Sequence, residues 1–290
     1  MSFIATLVNA ENLKWGEVSA ACDALATAGA SGIDARWLEE AQAADISFSA
    51  SARPDIATQS GTDIIIQIEA ERRRSLLVAD MDSTMITIEC IDELADYAGI
   101  KPQIAEITER AMRGELDFEG ALRERVGLLK GLKESVIDDC LRERMKIMPG
   151  AIALVRTLNA HGGRAVLVSG GFTRFTDVVG PQIGFDRTVS NVLGITQGVL
   201  DGSVVGDIVG AQTKRATLLE ELAARALPAS ASLAIGDGAN DIPMIEAAGL
   251  GVAYHAKPKT AAAAPARVQY GDLSVLLYAC GYARKDWVIT

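Results

Sequence analysis

Residues 76–84 read LLVADMDST and indicate the class of fold. The first four form a continuous apolar run, which is typical of a parallel strand buried on both faces. The run ends on two carboxylates, Asp80 and Asp82, with one residue between them. In an extended chain, alternate side chains point the same way, about 7 Å apart. We therefore expect both acids to face the crevice that open α/β sheets form at the carboxyl ends of their strands, although acids here could also cap the next helix.

Composition limits the function classes. The chain has 290 residues, 49% of them hydrophobic and 23% charged, as in globular proteins with a well-buried core. A net charge of −10 argues against nucleic acid as a partner, because binding phosphates requires a concentrated basic surface. No apolar run reaches the roughly 20 residues of a membrane helix, and the amino terminus lacks the pattern of a signal peptide. These features predict a cytoplasmic protein that binds neither nucleic acid nor membranes.

Cysteines and histidines give no sign of a metal site. The four cysteines are scattered without a paired motif, which favours reduced, buried thiols. The two histidines, His161 and His255, lie far apart in the sequence. A zinc site or a histidine-based catalytic system is therefore not expected.

Two further apolar runs end on polar residues. Residues 164–168 precede Ser169-Gly170-Gly171, and residues 232–235 precede the run GDGAND at 236–241. A predicted helix that begins near residue 212 carries Lys214 between them. Strands alternate with helices, which indicates a doubly wound parallel sheet in an α/β fold.

Residues 91–145 contain helical periodicity without strands, and Gly99, Gly114 and Gly131 are predicted helix ends. A strand–helix–strand crossover needs only one helix, so several helices indicate an inserted helical cap at about 86–148.

Residues 1–72 are predicted to form a small α+β domain, and residues 73–290 the core that carries the cap. The small domain has three predicted elements, which are strands over 3–8 and 62–68 and a helix over 15–28. No element is assigned to residues 30–60. The charged residues 71–74 are predicted to be a solvated linker. All polar motifs follow this linker, so we expect a chain without the small domain to retain its chemistry if it stays soluble.

The three strand ends together predict a phosphoryl-transfer site. Parallel strands of one sheet place Asp80, Asp82 and Asp237 side by side, and several carboxylates in one crevice favour Mg²⁺, which prefers hard oxygen ligands. Mg²⁺, a lysine, a hydroxyl and glycine amides form a trap for a phosphoryl group, and a carboxylate there can act as the nucleophile. Taken alone, Lys214 is more typical of a solvated helix charge and Ser169 of a tight turn.

The motifs resemble a known superfamily. The segments 80–84, 169–171 and 236–241, with Lys214, resemble the four ordered motifs of the haloacid dehalogenase superfamily. Residues 89–94 (ECIDEL) and 118–126, with Phe118, Glu119 and Arg125, resemble the cap signature of its phosphoserine phosphatase family. The resemblance runs from about Arg74 to the carboxyl terminus. The amino-terminal unit resembles a degenerate ACT-type domain.

This resemblance implies a role for each motif residue. Asp80 is the nucleophile that accepts the phosphoryl group, while Asp82 protonates the leaving serine oxygen and then activates water. Mg²⁺ is held by Asp80, the backbone carbonyl of Asp82 and Asp237, with support from Asp241. The substrate-binding residues are Glu89, Arg125, Ser169, Gly170, Lys214 and Asn240.

Glu89 and Arg125 match the zwitterionic headgroup of phosphoserine. Its ammonium needs a carboxylate, and its carboxylate needs a guanidinium that binds with two hydrogen bonds. The alternative for each residue is an ion pair on a helix surface. Met112 and Phe118 are predicted to close the site, or else to fill the apolar core of the cap.

The implied function is Mg²⁺-dependent hydrolysis of O-phospho-L-serine through an aspartyl-phosphate, the last step of serine biosynthesis. A receiver-like signalling domain also stores phosphate on an aspartate, but it needs neither the cap nor Asp82. Phosphoryl transfer to another alcohol, such as homoserine, or action on another small phosphomonoester remains open, as do serine feedback and a homodimer.

Overall fold

The computed structural model describes residues 1–57 and 61–289, without the side chain of Met112, so the predicted role of Met112 lies outside the described side chains. Its strands form two sheets, one of four strands and one of seven. No helix in the described part of the chain is long and apolar enough to cross a membrane.

The small sheet lies at the amino terminus. Its elements are β1 (Ser2–Val8), α1 (Trp15–Thr27), β2 (Ser31–Glu39), β3 (Ala43–Ser49) and β4 (Asp63–Ile68). All pairings are antiparallel, in the order β2-β3-β1-β4. Side chains alternate between the two faces of a strand, so Phe3, Ala5 and Leu7 pack beneath α1 against Val18 and Leu25. The predicted strands and helix are confirmed, while β2 and β3 occupy the stretch to which no element was assigned.

The large sheet confirms the predicted α/β fold. Its strands are β5 (Leu76–Ala79), β6 (Arg164–Phe172), β7 (Arg187–Thr196), β8 (Val199–Val205), β9 (Ser232–Gly236), β10 (Leu250–Tyr254) and β11 (Ala266–Val268). They lie in the order β11-β10-β9-β5-β6-β7-β8, all parallel except β8. The strand β5 is fully buried between β9 and β6, as its apolar run predicts.

Helices occupy most of the connections between these strands, and a further α-helix follows the last strand. They are α2 (Cys90–Tyr97), α3 (Lys101–Met112), α4 (Phe118–Leu128), α5 (Ser135–Glu143), α6 (Ala151–Ala160), α7 (Thr173–Ile183), α8 (Ala211–Ala224), α9 (Ile242–Ala247), α10 (Pro258–Ala263) and α11 (Val275–Ala279). Helices α2 to α5 lie between β5 and α6. Gly99, Gly114 and Gly131 have φ angles of 70°, 77° and 87°, the left-handed conformation that ends helices.

The hairpin of β7 and β8 reaches the turn between α4 and α5. Gly131 N donates to Leu200 O at 2.8 Å, and Leu200 N donates to Leu132 O at 2.9 Å. Glu134 N donates to Gly198 O at 2.9 Å. These backbone hydrogen bonds fix the turn between α4 and α5 to the edge of the large sheet.

The prediction of a solvated linker at 71–74 is wrong. Arg72 binds both carboxylate oxygens of Asp45 at 2.7 Å and donates to the carbonyls of Tyr278 and Ala279. Arg74 is 3% exposed and donates to Gln67 and to the carbonyl of Ser230. A guanidinium can be buried when several acceptors surround it, and here those acceptors come from distant parts of the sequence.

Candidate active site

A cavity of about 750 Å³ lies at the carboxyl ends of β5, β6 and β9. The strands β5 and β9 end where the sequence changes from apolar to polar residues, and β6 carries Ser169 and Gly170 in its last residues, so the three strands deliver their polar groups to one place. The predicted site residues that line the cavity are Asp80, Asp82, Glu89, Arg125, Ser169, Gly170, Asp237 and Asn240. Lys214 lies beneath the cavity wall.

Lys214 is fully buried and joins two of the acids. Its Nζ lies 2.6 Å from Asp80 Oδ1 and 2.7 Å from Asp241 Oδ1. Burial acts to lower the pKa of Lys214, but the charges of Asp241 and Asp80 raise it above its usual value. The ammonium therefore stays charged and orients Asp80, so the solvated-helix alternative is wrong.

Three buried carboxylates form an acidic cluster next to this lysine. Asp80, Asp237 and Asp241 each offer an oxygen within 4.8 Å of the others. Burial and then the charge of Asp80 raise the pKa of Asp237 to about 6 and that of Asp241 to about 7. A divalent cation relieves this repulsion, and hard carboxylate oxygens suit Mg²⁺.

Asp241 and Asp237 differ in how many of their carboxylate oxygens already accept hydrogen bonds. Asp241 accepts from Lys214 on Oδ1 and from Gly238 N on Oδ2 at 3.0 Å, so both of its oxygens have donors. Asp237 accepts only a long hydrogen bond of 3.5 Å from Thr84, among the described residues. Asp237 is therefore the better placed to bind a cation, and Asp241 supports the site.

Asp82 points away from this cluster, towards α2. Its Oδ2 accepts from Cys90 N and its Oδ1 from Cys90 Sγ, both at 3.1 Å. Burial, followed by the charges of Glu89 and Asp80, raises the pKa of Asp82 well above its usual value. A carboxyl group with a raised pKa is suited to donate a proton near neutral pH.

Glu89 and Arg125 face the cavity from the helical insertion. Glu89 accepts from Ser83 Oγ at 2.7 Å, and burial raises the pKa of Glu89. Burial lowers the pKa of Arg125, opposed by the charges of Asp92, Glu89 and Asp82. Within the described chain neither residue forms an ion pair within 4.0 Å, so the helix-surface alternative is wrong for both.

The turn predicted at 169–171 is wrong, because these residues form the end of β6, where its pairing with β7 is irregular. The tight-turn alternative for Ser169 is therefore wrong as well. A Cβ on Gly170 would lie 3.1 Å from Phe118 Cζ, so Phe118 covers this end of β6 from the cavity side. Ser169 Oγ accepts from Gly171 N at 2.9 Å. The carbonyl of Gly170 is held by Asn191, a buried residue for which the sequence gives no signal.

The segment 257–260 also lines the cavity, although it was not identified from the sequence as part of the site. Lys257 N donates to the carbonyl of Asp237 at 3.2 Å. This segment follows β10, the neighbour of β9, so the rule that polar residues gather after parallel strands could have found it.

Known proteins are similar to this chain in sequence. The family described as haloacid dehalogenase-like hydrolase matches residues 77–246. A phosphoserine phosphatase from Polaromonas sp. is 47% identical over 207 residues, which are 70% of this chain and 88% of the relative. One from Vibrio cholerae is 49% identical over 198 residues, 68% of this chain, but the match spans only 60% of that relative's length.

Solved structures extend the similarity to the amino-terminal unit. An unliganded, probable phosphoserine phosphatase from Vibrio cholerae covers 100% of this chain and 90% of its own, with 35% identity and a TM-score of 0.74. A phospho-aspartyl intermediate analogue of phosphoserine phosphatase covers 71% of this chain and 98% of its own, with 33% identity and a TM-score of 0.66. The chain therefore belongs to the haloacid dehalogenase-like hydrolases, in the family of the phosphoserine phosphatases.

Proposed function

We propose that this protein hydrolyses O-phospho-L-serine to L-serine and phosphate. The observation that carries the proposal is one cavity in which Asp80, held by Lys214, lies together with Asp82, Glu89 and Arg125. Asp80 supplies the nucleophile and Asp82 the proton donor. Glu89 and Arg125 match the ammonium and carboxylate charges of an amino acid.

Asp80 attacks the phosphorus with one carboxylate oxygen, and the bond between phosphorus and the serine oxygen breaks. Asp82 gives its proton to the leaving serine oxygen, so serine leaves neutral at that atom. Asp82 then takes a proton from water as the water oxygen attacks phosphorus, which releases phosphate and restores the Asp80 carboxylate. The ammonium of Lys214, the hydroxyl of Ser169 and the backbone amide of Gly170 hold the phosphoryl oxygens.

Asp80, Asp237 and the backbone carbonyl of Asp82 would hold Mg²⁺, because Asp241 already has donors on both oxygens. When bound, the ion offsets the negative charge that builds on the phosphoryl oxygens. The raised pKa of Asp237 supports a cation here, since burial and neighbouring acids otherwise disfavour its charged form.

Glu89 binds the substrate ammonium and Arg125 its carboxylate. Both side chains line the cavity without an ion-pair partner among the described residues, so each is available to a ligand. Asn240 completes the wall near the phosphoryl group. We further propose that the enzyme acts in serine biosynthesis in the cytoplasm, with residues 1–72 as a small domain, 73–290 as the catalytic core and 86–148 as its cap.

The test is phosphate release from L-phosphoserine in the presence of Mg²⁺. We expect activity in the parent protein, none in Asp80→Asn, and normal activity in Asp177→Asn, which changes an exposed acid on α7. Inclusion of homoserine as an acceptor separates hydrolysis from transfer, because transfer yields less phosphate than serine. Turnover by a folded Asp80→Asn preparation would exclude a nucleophilic role for Asp80.

A further inference from the structure

The cavity wall formed by residues 257–260 brings two lysines to the cavity, Lys257 and Lys259, and the charge of Lys257 acts on acids of the site. Lys257 follows β10, and its backbone is joined to Asp237 by the 3.2 Å hydrogen bond described above. Burial raises the pKa of both Asp237 and Glu89, and the charge of Lys257 acts on each in the opposite direction. The position of Lys257 therefore affects the electrostatic environment of Asp237, the predicted metal ligand, and of Glu89, the predicted ligand of the substrate ammonium.

His255 anchors the start of this segment. Its φ angle is 43°, a left-handed conformation that residues other than glycine rarely adopt. Its backbone N donates to Val268 O at 2.9 Å, and its Nε2 lies 2.9 Å from the carbonyl oxygen of Gly271. Such a conformation persists only where neighbours hold it, and here the neighbours are Val268, the last residue of β11, and Gly271, three residues further on.

Asp63, the first residue of β4 in the small sheet, holds the loop 269–271. Its Oδ1 accepts from Gln269 N at 2.7 Å and its Oδ2 from Gly271 N at 2.8 Å. Tyr270 N lies 3.3 Å from both oxygens. The carboxylate is 3% exposed, and hydrogen bonds from backbone amides to a buried carboxylate are strong.

We propose that Asp63 is a positioning residue for the active site, which acts by fixing the loop 269–271, hence His255, and hence Lys257 and the wall 257–260. The amino-terminal unit is then part of the scaffold of the site, which departs from the expectation that a chain without the small domain retains its chemistry. The kinetic side of this inference rests on the proposed function, whereas its structural side does not.

Asp45 provides a matched control. It is 1% exposed and also joins the small sheet to the core, through Arg72 and the carbonyls of Tyr278 and Ala279. It makes no contact with the loop 269–271 among the described hydrogen bonds. Asp45→Asn therefore weakens the same interface without releasing the loop.

The first measurement is hydrogen exchange of the backbone amides of residues 255–257, 259 and 260, since Pro258 has no amide hydrogen. We expect exchange at least about tenfold faster in Asp63→Ala, and unchanged exchange in Asp45→Asn. His255→Ala, an exposed residue whose loss does not threaten folding, is expected to act in the same direction as Asp63→Ala. Equal exchange in the parent, Asp63→Ala and His255→Ala would overturn the proposal, and this result does not depend on any enzymatic activity.

The second measurement is a double-mutant cycle with Lys257→Met. We expect Asp63→Ala to lower kcat/KM for phosphoserine by about 10- to 100-fold, and the double variant to lose no more than the larger single loss. Asp45→Asn is expected to leave kcat/KM unchanged where the protein is folded. Additive losses would mean that Asp63 does not act through Lys257.

If Asp63→Ala fails to fold, Asp63→Asn and His255→Ala enter the same cycle. If the parent protein is inactive, the proposed function is contradicted. The hydrogen-exchange measurement then decides by itself whether Asp63 positions the wall 257–260.

Discussion

Both carboxylate oxygens of Asp82 accept hydrogen bonds from one residue, Cys90. The amide of Cys90 binds Oδ2 and its thiol binds Oδ1. Burial, followed by the charge of Asp82, raises the pKa of this thiol well above its usual value, so the sulfur keeps its proton and remains a donor. The orientation of the proposed acid–base group is thus set by the first residue of α2.

We predict that Cys90→Ala lowers kcat about fivefold with little change in KM, because one hydrogen bond to Asp82 is worth about 1 kcal/mol. Cys90→Ser is expected to recover most of the loss, since a hydroxyl also donates. Steady-state kinetics over pH 5 to 9 measure this, with Cys280→Ala as the control. An increase in KM at constant kcat would show that Cys90 serves substrate binding instead.

We predict that Arg125→Ala lowers kcat/KM for phosphoserine by roughly 30-fold or more, because a partly buried charged contact is worth about 2–5 kcal/mol. p-Nitrophenyl phosphate lacks a carboxylate, so its turnover is expected to fall much less, to within about tenfold of the parent. Arg125→Lys recovers only part of the loss, since an ammonium cannot form the planar pair of hydrogen bonds. Equal losses for both substrates would assign Arg125 to folding or to closure of the site.

We predict that the acid cluster makes the metal-free protein less stable as the pH rises. The pKa of Asp237 is about 6 in the folded chain and near 4 in an unfolded one. Its contribution to stability is complete below about pH 4 and is lost as the pH rises through about 6, because the unfolded state then releases a proton that the folded state retains.

Asp237→Asn removes this dependence. Relative to the parent in EDTA, its free energy of unfolding is expected to improve by about 2–3 kcal/mol between pH 4 and pH 8, as measured by urea denaturation. Added Mg²⁺ is expected to stabilise the parent and not the variant. A constant difference between the two proteins across this pH range would contradict the raised pKa of Asp237.

We predict that a chain beginning at Arg73 unfolds at least about 10 °C below the parent, if it remains soluble. Truncation removes the partners of the loop 269–271 and exposes the apolar surface that packs on Val8, Ala43 and Ile65. A loss of about 4 kcal/mol from several buried hydrogen bonds corresponds to this shift for a domain of this size. Thermal denaturation followed by circular dichroism measures it, and an unchanged melting temperature would show that the interface adds no stability.

The large sheet could be predicted because a buried parallel strand is apolar throughout and ends abruptly. That rule identified β5, β6 and β9 and the polar residues at their carboxyl ends, although β6 continues through residues 169–172, beyond its predicted end. The strands β2 and β3 gave no comparable signal, because the residues of β2 are mostly exposed or partly exposed and the stretch is rich in small polar residues. Their formation depends on the pairing of β3 with β1 and of β2 with β3, which a local sequence pattern cannot reveal.

The burial of individual charged side chains was harder to predict than the positions of the strands. The burial of Lys214 and Arg72 depends on acceptors that are distant in sequence, namely Asp241 for the lysine and the carbonyls of Tyr278 and Ala279 for the arginine. A sequence identifies such a cation only through a motif, as with Lys214. Arg72 belongs to no motif, and its prediction as part of a solvated linker was wrong for that reason.

The hydrogen bonds between the β7–β8 hairpin and the turn after α4 have a consequence for protein engineering. Two segments far apart in the chain meet through backbone groups, whose pairing depends on the length and path of each segment more than on side-chain identity. A chimaera that transplants helices α2 to α5 from another phosphatase therefore needs the hairpin from the same donor. A graft of the helices alone leaves the amides of Gly131 and Glu134 without their acceptors.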